Sequence, residues 1–416
     1  MLRRFGRTMA AAAVATGVLG GSRASSARDV EAFPSLSVAI ARARTRPVAV
    51  IAARGAARVA EAAAVGARLS SVGNPYLEVF ADRGTSQQRP ELVVQSNLWI
   101  PVDISGQRSR RIEENDRLRH WRGAETEAAT IASIAHLVRC YGVAVVAAER
   151  VRFLETIVAM SAEEAALYEA RLKVSDATTR DAKLAAVDLS RNRMTAAQAR
   201  ADLARALAEL ARATGAPGLL PPQQIEPAPT APWVEMTRDP QAAIDGAPAL
   251  TTLTREAEYF AASEARDEVE GHAPLNLIVS GGQGATGGAR LGGGLAWTFP
   301  VLRRNQGERA RAAAEQARAR DVAGALRGEL LTQLRGLFDE RQQVLSALDE
   351  LRSYAEPAAR AAVEAAQATE RAGKGELLHV VMARRDLVSV RVSGLSLQQR
   401  EWLLLGDLVS VTGRSP

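Results

Sequence analysis

The stretch LAWTFPVLRRNQG, from Leu295 to Gly307, decides the fold because it has an earlier counterpart in the same chain. That counterpart is QSNLWIPVDISGQ, from Gln95 to Gln107, and Pro101 takes the place of Pro300 at an offset of 199 residues. Three further landmark pairs keep nearly this offset: Pro75 with Pro274, Pro47 with Pro248, and AAVDL at 185–189 with ARRDL at 383–387. Landmarks in order at an almost constant offset indicate an internal duplication, so the chain is one structural unit written twice.

Composition favours long helices over an ordinary globular core. Of the 416 residues only 4% are aromatic, and alanine, arginine, leucine and glutamate dominate. The net charge of +6 comes from interspersed arginine and glutamate, which is typical of solvated helix faces and argues against nucleic-acid binding. The single cysteine, Cys140, excludes a disulfide framework within one chain, and the four scattered histidines predict no metal-binding spacing. We therefore expect no resident cofactor.

The first residues resemble a secretory signal peptide, which we place at 1–27. Arg3, Arg4 and Arg7 precede an apolar run, and small residues at 25–27 offer a cleavage site. A basic leader on a cytosolic protein is the alternative. No cysteine lies near the cleavage point, so we expect no lipid anchor there. The rest of the sequence lacks the ~18 uninterrupted apolar residues of a membrane-spanning helix, so entry into a membrane would require β-strands.

Each half of the sequence predicts one β-hairpin, at about 75–103 and 274–301. In the first, Leu77, Val79 and Ala81 alternate with polar or aromatic neighbours, and the second repeats the alternation around a glycine-rich turn. Each hairpin thus has an apolar face and a mainly polar or small face. Four such strands leave open edges in lipid, and they are fewer than the ~8 strands that close the smallest barrels. If they span a membrane, the chain must oligomerise.

A long helical hairpin follows each β-hairpin, at 106–214 and 305–412, with tips near 173–177 and 372–376. We expect a helix break near Ser161–Glu164, which resembles a capping box, and another at Pro357. The predicted organisation comprises a signal peptide at 1–27, a first repeat at 28–216, a proline-rich linker at 217–240 and a second repeat at 241–416. The fold class is mainly α with a small β part.

The run FPVLRRNQGERARAAAE at 299–315 resembles the strand-to-helix segment of the TolC family of outer-membrane efflux proteins. Its RNQGE string is closest to the heavy-metal cation efflux (CzcC-like) branch, and RAGKGELL at 371–378 resembles the family's helix-turn-helix tip. The resemblance implies a homotrimer whose twelve strands form one outer-membrane barrel above a periplasmic helical tunnel. It also implies a periplasmic adaptor (membrane fusion) protein and an inner-membrane pump of RND or ABC type as partners.

The resemblance also implies which residues matter for conduction. Adaptors and the gate are expected at the tips, which here comprise Lys173, Ser175, Asp176, Asp181, Gly373, Lys374, Gly375 and Glu376. Asp181 matches a position that pairs with a basic residue on the neighbouring tip, and Lys374 is the available partner because Gly375 occupies the family's arginine position. Where some members carry inward-facing carboxylates, this chain has His379 and Met382, which could contact metals in a trimer or merely pack near the tip.

Three aromatic residues, Trp99, Trp297 and Phe299, are expected in the lipid-facing girdle of the barrel. A dinucleotide-binding motif is the competing interpretation of Gly282–Gly287, but a strand follows it where that motif requires a helix. We find no catalytic spacing and expect no enzyme. The predicted function is passive export across the outer membrane from pump and adaptor to the exterior, with metal cations or drugs as cargo. The alternative is a soluble coiled-coil scaffold.

Overall fold

The computed structural model describes residues 30–69, 73–86, 89–223, 228, 239–273, 275–283, 288–372, 374 and 376–416. The expected signal peptide, most of the expected linker, and the tip residues Gly373 and Gly375 therefore lie outside the described residues. Within them the chain is mainly helical with one small antiparallel sheet. This confirms the predicted secondary-structure class.

The first repeat supplies four helices and two strands. Their bounds are α1 Leu36–Ala43, α2 Val48–Arg68, β1 Tyr76–Ser86, β2 Arg89–Val102, α3 Gln107–Lys173 and α4 Thr179–Thr214. Pro47 lies at the N-cap of α2, and Gly215 ends α4 in the left-handed conformation that glycine adopts without strain. At ~1.5 Å per residue, the 67 residues of α3 extend about 100 Å.

The second repeat gives the same order of elements. Their bounds are α5 Pro240–Ile244, α6 Pro248–Glu270, β3 Leu275–Gln283, β4 Ala289–Trp297, α7 Gln306–Glu350, a π-helical turn Leu351–Ala355, α8 Glu356–Arg371 and α9 Leu377–Thr412. Pro357 lies in the first turn of α8, so the expected interruption in this copy takes the form of a π turn that keeps the helix running. The equivalence of the halves is thus visible in the element order.

The helix break that we expected near Ser161–Glu164 is wrong, because α3 is continuous through it. Ser161 is fully buried, and the side chains of Ser161 and Glu164 both face a neighbouring helix and contact Arg384 there. A spacing of three residues places two side chains on one helix face, whether that face caps a helix or packs inside one. The Ser161–Glu164 spacing therefore places two side chains in a contact between helices and does not cap a helix.

Helix α3 organises the whole chain, since it packs along α2, α4, α6 and α9. The largest core cluster lies around its middle, where Tyr141 contacts the buried Trp402 at a ring-centroid distance of 5.6 Å. Gly142 makes this approach possible, because a Cβ added there would lie 2.1 Å from Cγ of Trp402. Among the described helices, α3 alone has an 18-residue window apolar enough to cross a membrane, and 61% of that window is buried. Such burial is typical of a core helix.

The four strands form one antiparallel sheet in the order β1-β2-β3-β4. Register fixes the two faces, because directly paired residues of an antiparallel sheet point to the same side. Leu77 pairs with Leu98, which pairs with Val279, and Ile100 pairs with Leu277, which pairs with Leu295. These residues share one apolar face. The outer strands β1 and β4 each leave one edge of the sheet unpaired within the chain.

Candidate functional site

The apolar face of the sheet is uncovered in the single chain. Its exposed residues include Leu77, Val79, Leu92, Leu98, Leu277, Val279, Leu291 and Leu295, and Leu291 and Leu295 are 88% and 69% exposed. The opposite face is mainly polar or small: it carries Glu78, Gln95, Asn97, Asn276, Ser280, Gly292 and Gly294, and also the apolar Phe80, Val93 and Ile278. A sheet with one apolar and one polar face separates two different environments.

The three residues expected in the aromatic girdle do not share a face. Trp297 lies at the end of the apolar face, and its ring contacts that of Phe299 at 4.5 Å between centroids. Trp99 lies on the polar face, where its indole stacks on Tyr76 at 5.6 Å and its Nε1–H donates to Glu78 at 2.8 Å. Its neighbours Leu98 and Ile100 take the apolar side. Trp99 therefore does not fit a lipid-facing girdle, whereas Trp297 and Phe299 remain candidates.

At the far end of the molecule, each helical hairpin has one short link that joins its two helices. In the first link Ser175 adopts a left-handed conformation with φ of 61°, and Asp176 donates its backbone N–H to Arg171 at 2.8 Å. Lys173 is exposed and lies 3.5 Å from Glu169 of the previous turn. In the second link Lys374 and Glu376 are exposed. The charged groups of both described tips thus face outward, available to another molecule.

The expected pair between Asp181 and Lys374 is not formed within the chain. Asp181 is held by the cap of its own helix: its backbone N–H donates to the Thr178 hydroxyl at 3.1 Å, and that hydroxyl donates to the Asp181 carboxylate at 2.6 Å. This arrangement satisfies orphan donors at the start of α4. A pairing of Asp181 across subunits stays a prediction.

His379 and Met382 lie one turn apart near the start of α9, and both side chains are exposed. Their exposed surfaces are open to a neighbouring copy, and both interpretations, metal contact in a trimer and packing near the tip, stay predictions. Asp386 is also exposed one turn further along. Within the described residues no three His, Cys, Asp or Glu side chains converge as a metal site.

A buried ionic cluster, which we call the Arg384 cluster, lies about two to three helical turns from the tips. Arg384 on α9 is 2% exposed and contacts Glu164 of α3 at 2.8 Å and Asp188 of α4 at 3.3 Å. It also donates to the Ser161 hydroxyl at 3.1 Å, while Asn192 donates to both Ser161 and Asp188. Burial raises the pKa of Glu164 above its ordinary value, and the Arg384 charge opposes this only in part.

Two further ionic clusters, one on either side of it, join α3 to α8 and α9. Below it, Arg171 and Tyr168 of α3 both donate to Glu370 of α8, at 2.8 and 2.9 Å. Burial and this hydrogen bond raise the pKa of Tyr168 well above its usual range. Above it, Arg391 of α9 bridges Glu149 of α3 and Glu356 of α8, at 2.7 and 2.9 Å. All three clusters tie the first repeat to the second.

Sequence reasoning missed these clusters because their members are far apart along the chain, by 223 residues for Ser161 and Arg384. A signal was present, since Asp188 and Arg384 belong to the landmark segments AAVDL and ARRDL that revealed the duplication. The landmarks marked this contact without identifying its chemistry.

Several solved membrane proteins and channels have a similar fold. CusC gives a TM-score of 0.71 at 14% identity, covering 90% of either chain. VceC of Vibrio cholerae gives a TM-score of 0.69 at 15% identity, covering 90% of this chain and 95% of VceC. The open MtrE channel of Neisseria gonorrhoeae gives a TM-score of 0.69 at 16% identity, covering 92% of this chain and 89% of MtrE. No protein-family model and no curated protein matches the chain. At these identities the likeness shows the fold, which is the one that the TolC resemblance predicted.

Proposed function

We propose that this chain is the outer-membrane channel of a tripartite efflux or secretion system, extending into the periplasm. The observation that carries the proposal is the sheet: four strands with an uncovered apolar face, two unpaired edges, and helices of about 100 Å attached at one end. Unpaired backbone groups are not tolerated in lipid, so β4 of one copy must pair with β1 of the next. Three copies close a barrel of twelve strands, and their helices continue it as a tunnel.

Exposed apolar residues along the flank of the helical region support association of copies. Helix α2 borders α3 on one side only, and its outer surface carries Val48, Ile51, Val59 and Val65, each more than half exposed. Exposed apolar residues on one side of an edge helix are typical of an interface. A homotrimer would cover these residues with the opposite flank of the neighbouring copy. The alternative of a soluble scaffold leaves both these residues and the sheet in water.

The periplasmic partners are proposed from the tips. Their exposed charged groups would receive an adaptor protein, which would couple the tunnel to an inner-membrane pump of RND or ABC type. Transport through such a duct is passive and requires no catalytic residue. Metal cations are the more specific cargo, since His379 and Met382 would form two rings of soft ligands in a trimer. Drugs and other small molecules are the other candidate cargo.

Two neighbouring substitutions test the membrane orientation of the sheet. Leu295 lies on the apolar face and Gly294 on the polar face, and nothing lies within 4 Å of a Cβ added to Gly294. An arginine on the lipid face of a barrel costs about 2–4 kcal/mol near the bilayer midplane. Leu295→Arg should therefore deplete heat-sensitive trimers from the outer-membrane fraction. Gly294→Arg should leave trimers intact and reduce conductance.

Comparison of Leu295→Arg with Gly294→Arg distinguishes an outer-membrane channel from a soluble scaffold. Equal trimer yields for both variants, or a protein that fractionates as a soluble monomer, would refute the channel. For the cargo, alanine at His379 and Met382 should lower resistance to metals more than resistance to drugs. Equal effects on both would remove the metal assignment and leave the channel standing.

A further inference from the structure

The loop between β4 and α7 is tightly organised although it connects two different elements. The backbone N–H of Val301 donates to Phe299 at 2.9 Å, and Nε of Arg304 donates to the carbonyl of Pro300 at 2.8 Å. The Gln306 side chain closes the loop from the helix side, accepting from the Arg304 N–H at 2.9 Å and donating to the Leu302 carbonyl at 3.1 Å. Its conformation is thus specified by its own hydrogen bonds.

This ordered loop nevertheless presents its large apolar side chains to the outside. Phe299, Val301 and Leu302 are 68%, 74% and 88% exposed. In the first repeat, the corresponding joint exposes Ile104 at 57% while Asp103 accepts the backbone N–H groups that start α3. Two different loops therefore expose apolar groups at the same level. A contiguous exposed apolar patch of this kind marks an interaction surface.

Four exposed arginines lie at the same level, namely Arg68, Arg108, Arg303 and Arg304. Arg108 donates from Nε to the Arg68 carbonyl at 2.8 Å, and its neighbour Gln107 donates to the His272 carbonyl at 2.8 Å. Gly271, beside His272, packs directly on the Arg304 backbone, where an added Cβ would lie 2.8 Å from the carbonyl oxygen. These contacts link the four arginine positions around the joint.

None of these four arginines has a carboxylate within ion-pair distance among the described residues. The next arginines into the adjoining helices are paired: Arg110 with Glu113, Arg111 with Glu270, Arg309 with Glu268, and Arg311 with Glu308. Other exposed helix arginines among the described residues, such as Arg193 and Arg335, also lack an ion pair, so the joint is set apart by the exposed apolar side chains beside its arginines. Unpaired guanidinium groups beside exposed apolar side chains match a ligand that is anionic on one side and apolar on the other.

We propose that this joint binds the headgroups of anionic phospholipids in the leaflet next to the helices. The proposal rests on the proposed function, which places the sheet in the membrane. Phe299, Val301 and Leu302 enter the interfacial zone, continuous with the apolar face through the contact of Phe299 with Trp297. Arg303 and its three companions meet lipid phosphates, which guanidinium groups bind with two parallel hydrogen bonds. The joint thereby fixes the depth of the barrel in the bilayer.

Quenching of Trp297 by brominated lipids tests this directly. The purified full chain is reconstituted into phosphatidylethanolamine vesicles that contain brominated phosphatidylglycerol or brominated phosphatidylcholine, and a Trp297→Phe variant supplies the background. The wild-type protein should be quenched at a lower fraction of the anionic lipid. Arg303→Gln should reduce this preference about five-fold, the effect of one arginine at an anionic surface. Arg303→Lys should retain most of it, and high salt should weaken it.

Arg290 offers the matched control, because it lies at the opposite end of β4, where it pairs with Gly282. Arg290→Gln should leave the lipid preference unchanged. The lipid proposal is overturned if the wild type shows no preference for the anionic lipid, or if Arg290→Gln lowers that preference as much as Arg303→Gln does. The proposed channel function still stands in that case if the protein conducts in the same vesicles. A variant Arg303→Gln with intact lipid preference that loses a bound periplasmic protein would assign the joint to a protein partner instead. Failure to enter vesicles at all refutes both.

Discussion

The Arg384 cluster should hold the two repeats together near the tips, and Arg384→Met tests this. Arg384 and Asp188 are both 2% exposed and Glu164 is 16% exposed, so removing the arginine leaves two carboxylates buried side by side. Breaking a buried pair by removing one partner costs about 3–5 kcal/mol. Since each 1.4 kcal/mol is a factor of ten, local opening of this region should become about a hundred-fold more frequent or more.

Hydrogen exchange measured by mass spectrometry reports this opening. Peptides covering 161–173 of α3 and 377–388 of α9 should lose protection, while peptides in the core around Tyr141 should not, because proteins open in local cooperative units. The neighbouring Arg385 provides the control. It is 43% exposed and reaches Asp188 at 3.8 Å, so Arg385→Met should cost at most about 1 kcal/mol.

A double variant checks the mechanism. Arg384→Met with Asp188→Asn removes one of the two uncompensated charges, so it should recover part of the lost protection. Unchanged exchange in Arg384→Met, or equal losses in the variants at positions 384 and 385, would refute the interpretation that a buried charge network joins the repeats.

Three further predictions follow from packing and titration. Gly142→Ala should destabilise the chain by about 1–3 kcal/mol, because its Cβ would overlap Trp402. Gly123→Ala on the same helix has open space around it and should stabilise the chain by up to about 1 kcal/mol. Thermal unfolding of both variants measures these changes, and equal shifts in the two would contradict the prediction. Burial raises the pKa of Cys140 to about 11, so iodoacetamide should label it slowly at pH 8 and rapidly in denaturant; rapid labelling of the native protein would contradict its burial. Burial raises the pKa of Glu164 in the folded state, so its contribution to stability is fully present below the unfolded value of about 4.3 and is lost as pH rises through the folded pKa. Protection from hydrogen exchange near the tips, corrected for the pH dependence of exchange itself, should therefore increase on acidification in the wild type. It should not increase in Glu164→Gln.

The duplication and the alternation of apolar residues predicted the order of helices and strands, whereas their arrangement in space was predicted from the resemblance to the TolC family. Proline and glycine positions such as Pro47, Pro300 and Gly215 mark element ends by local rules, and the apolar faces of the strands follow from a period of two. The helix break at Ser161 failed because its capping pattern is also the spacing of two residues on one buried face. The girdle role of Trp99 failed because residue type was weighed above strand parity, which places it opposite Leu98.

The ionic clusters could not be predicted from one sequence. Interspersed arginine and glutamate residues allow many pairings, and only the packing of α3 against α8 and α9 selects those that are buried. Likewise, the four arginines at the joint become distinct only when the fold places exposed apolar side chains beside them. The tips illustrate the converse limit, since local capping by Thr178 occupies Asp181 within the chain.

Conductance across a planar lipid bilayer tests the central claim most directly. The proposal predicts that purified protein, running as a heat-sensitive trimer in mild detergent, inserts to give discrete and uniform current steps. Gly294→Arg should lower the size of each step, because it narrows the polar side of the sheet. A protein that remains monomeric and gives no current would contradict the account and favour the soluble scaffold.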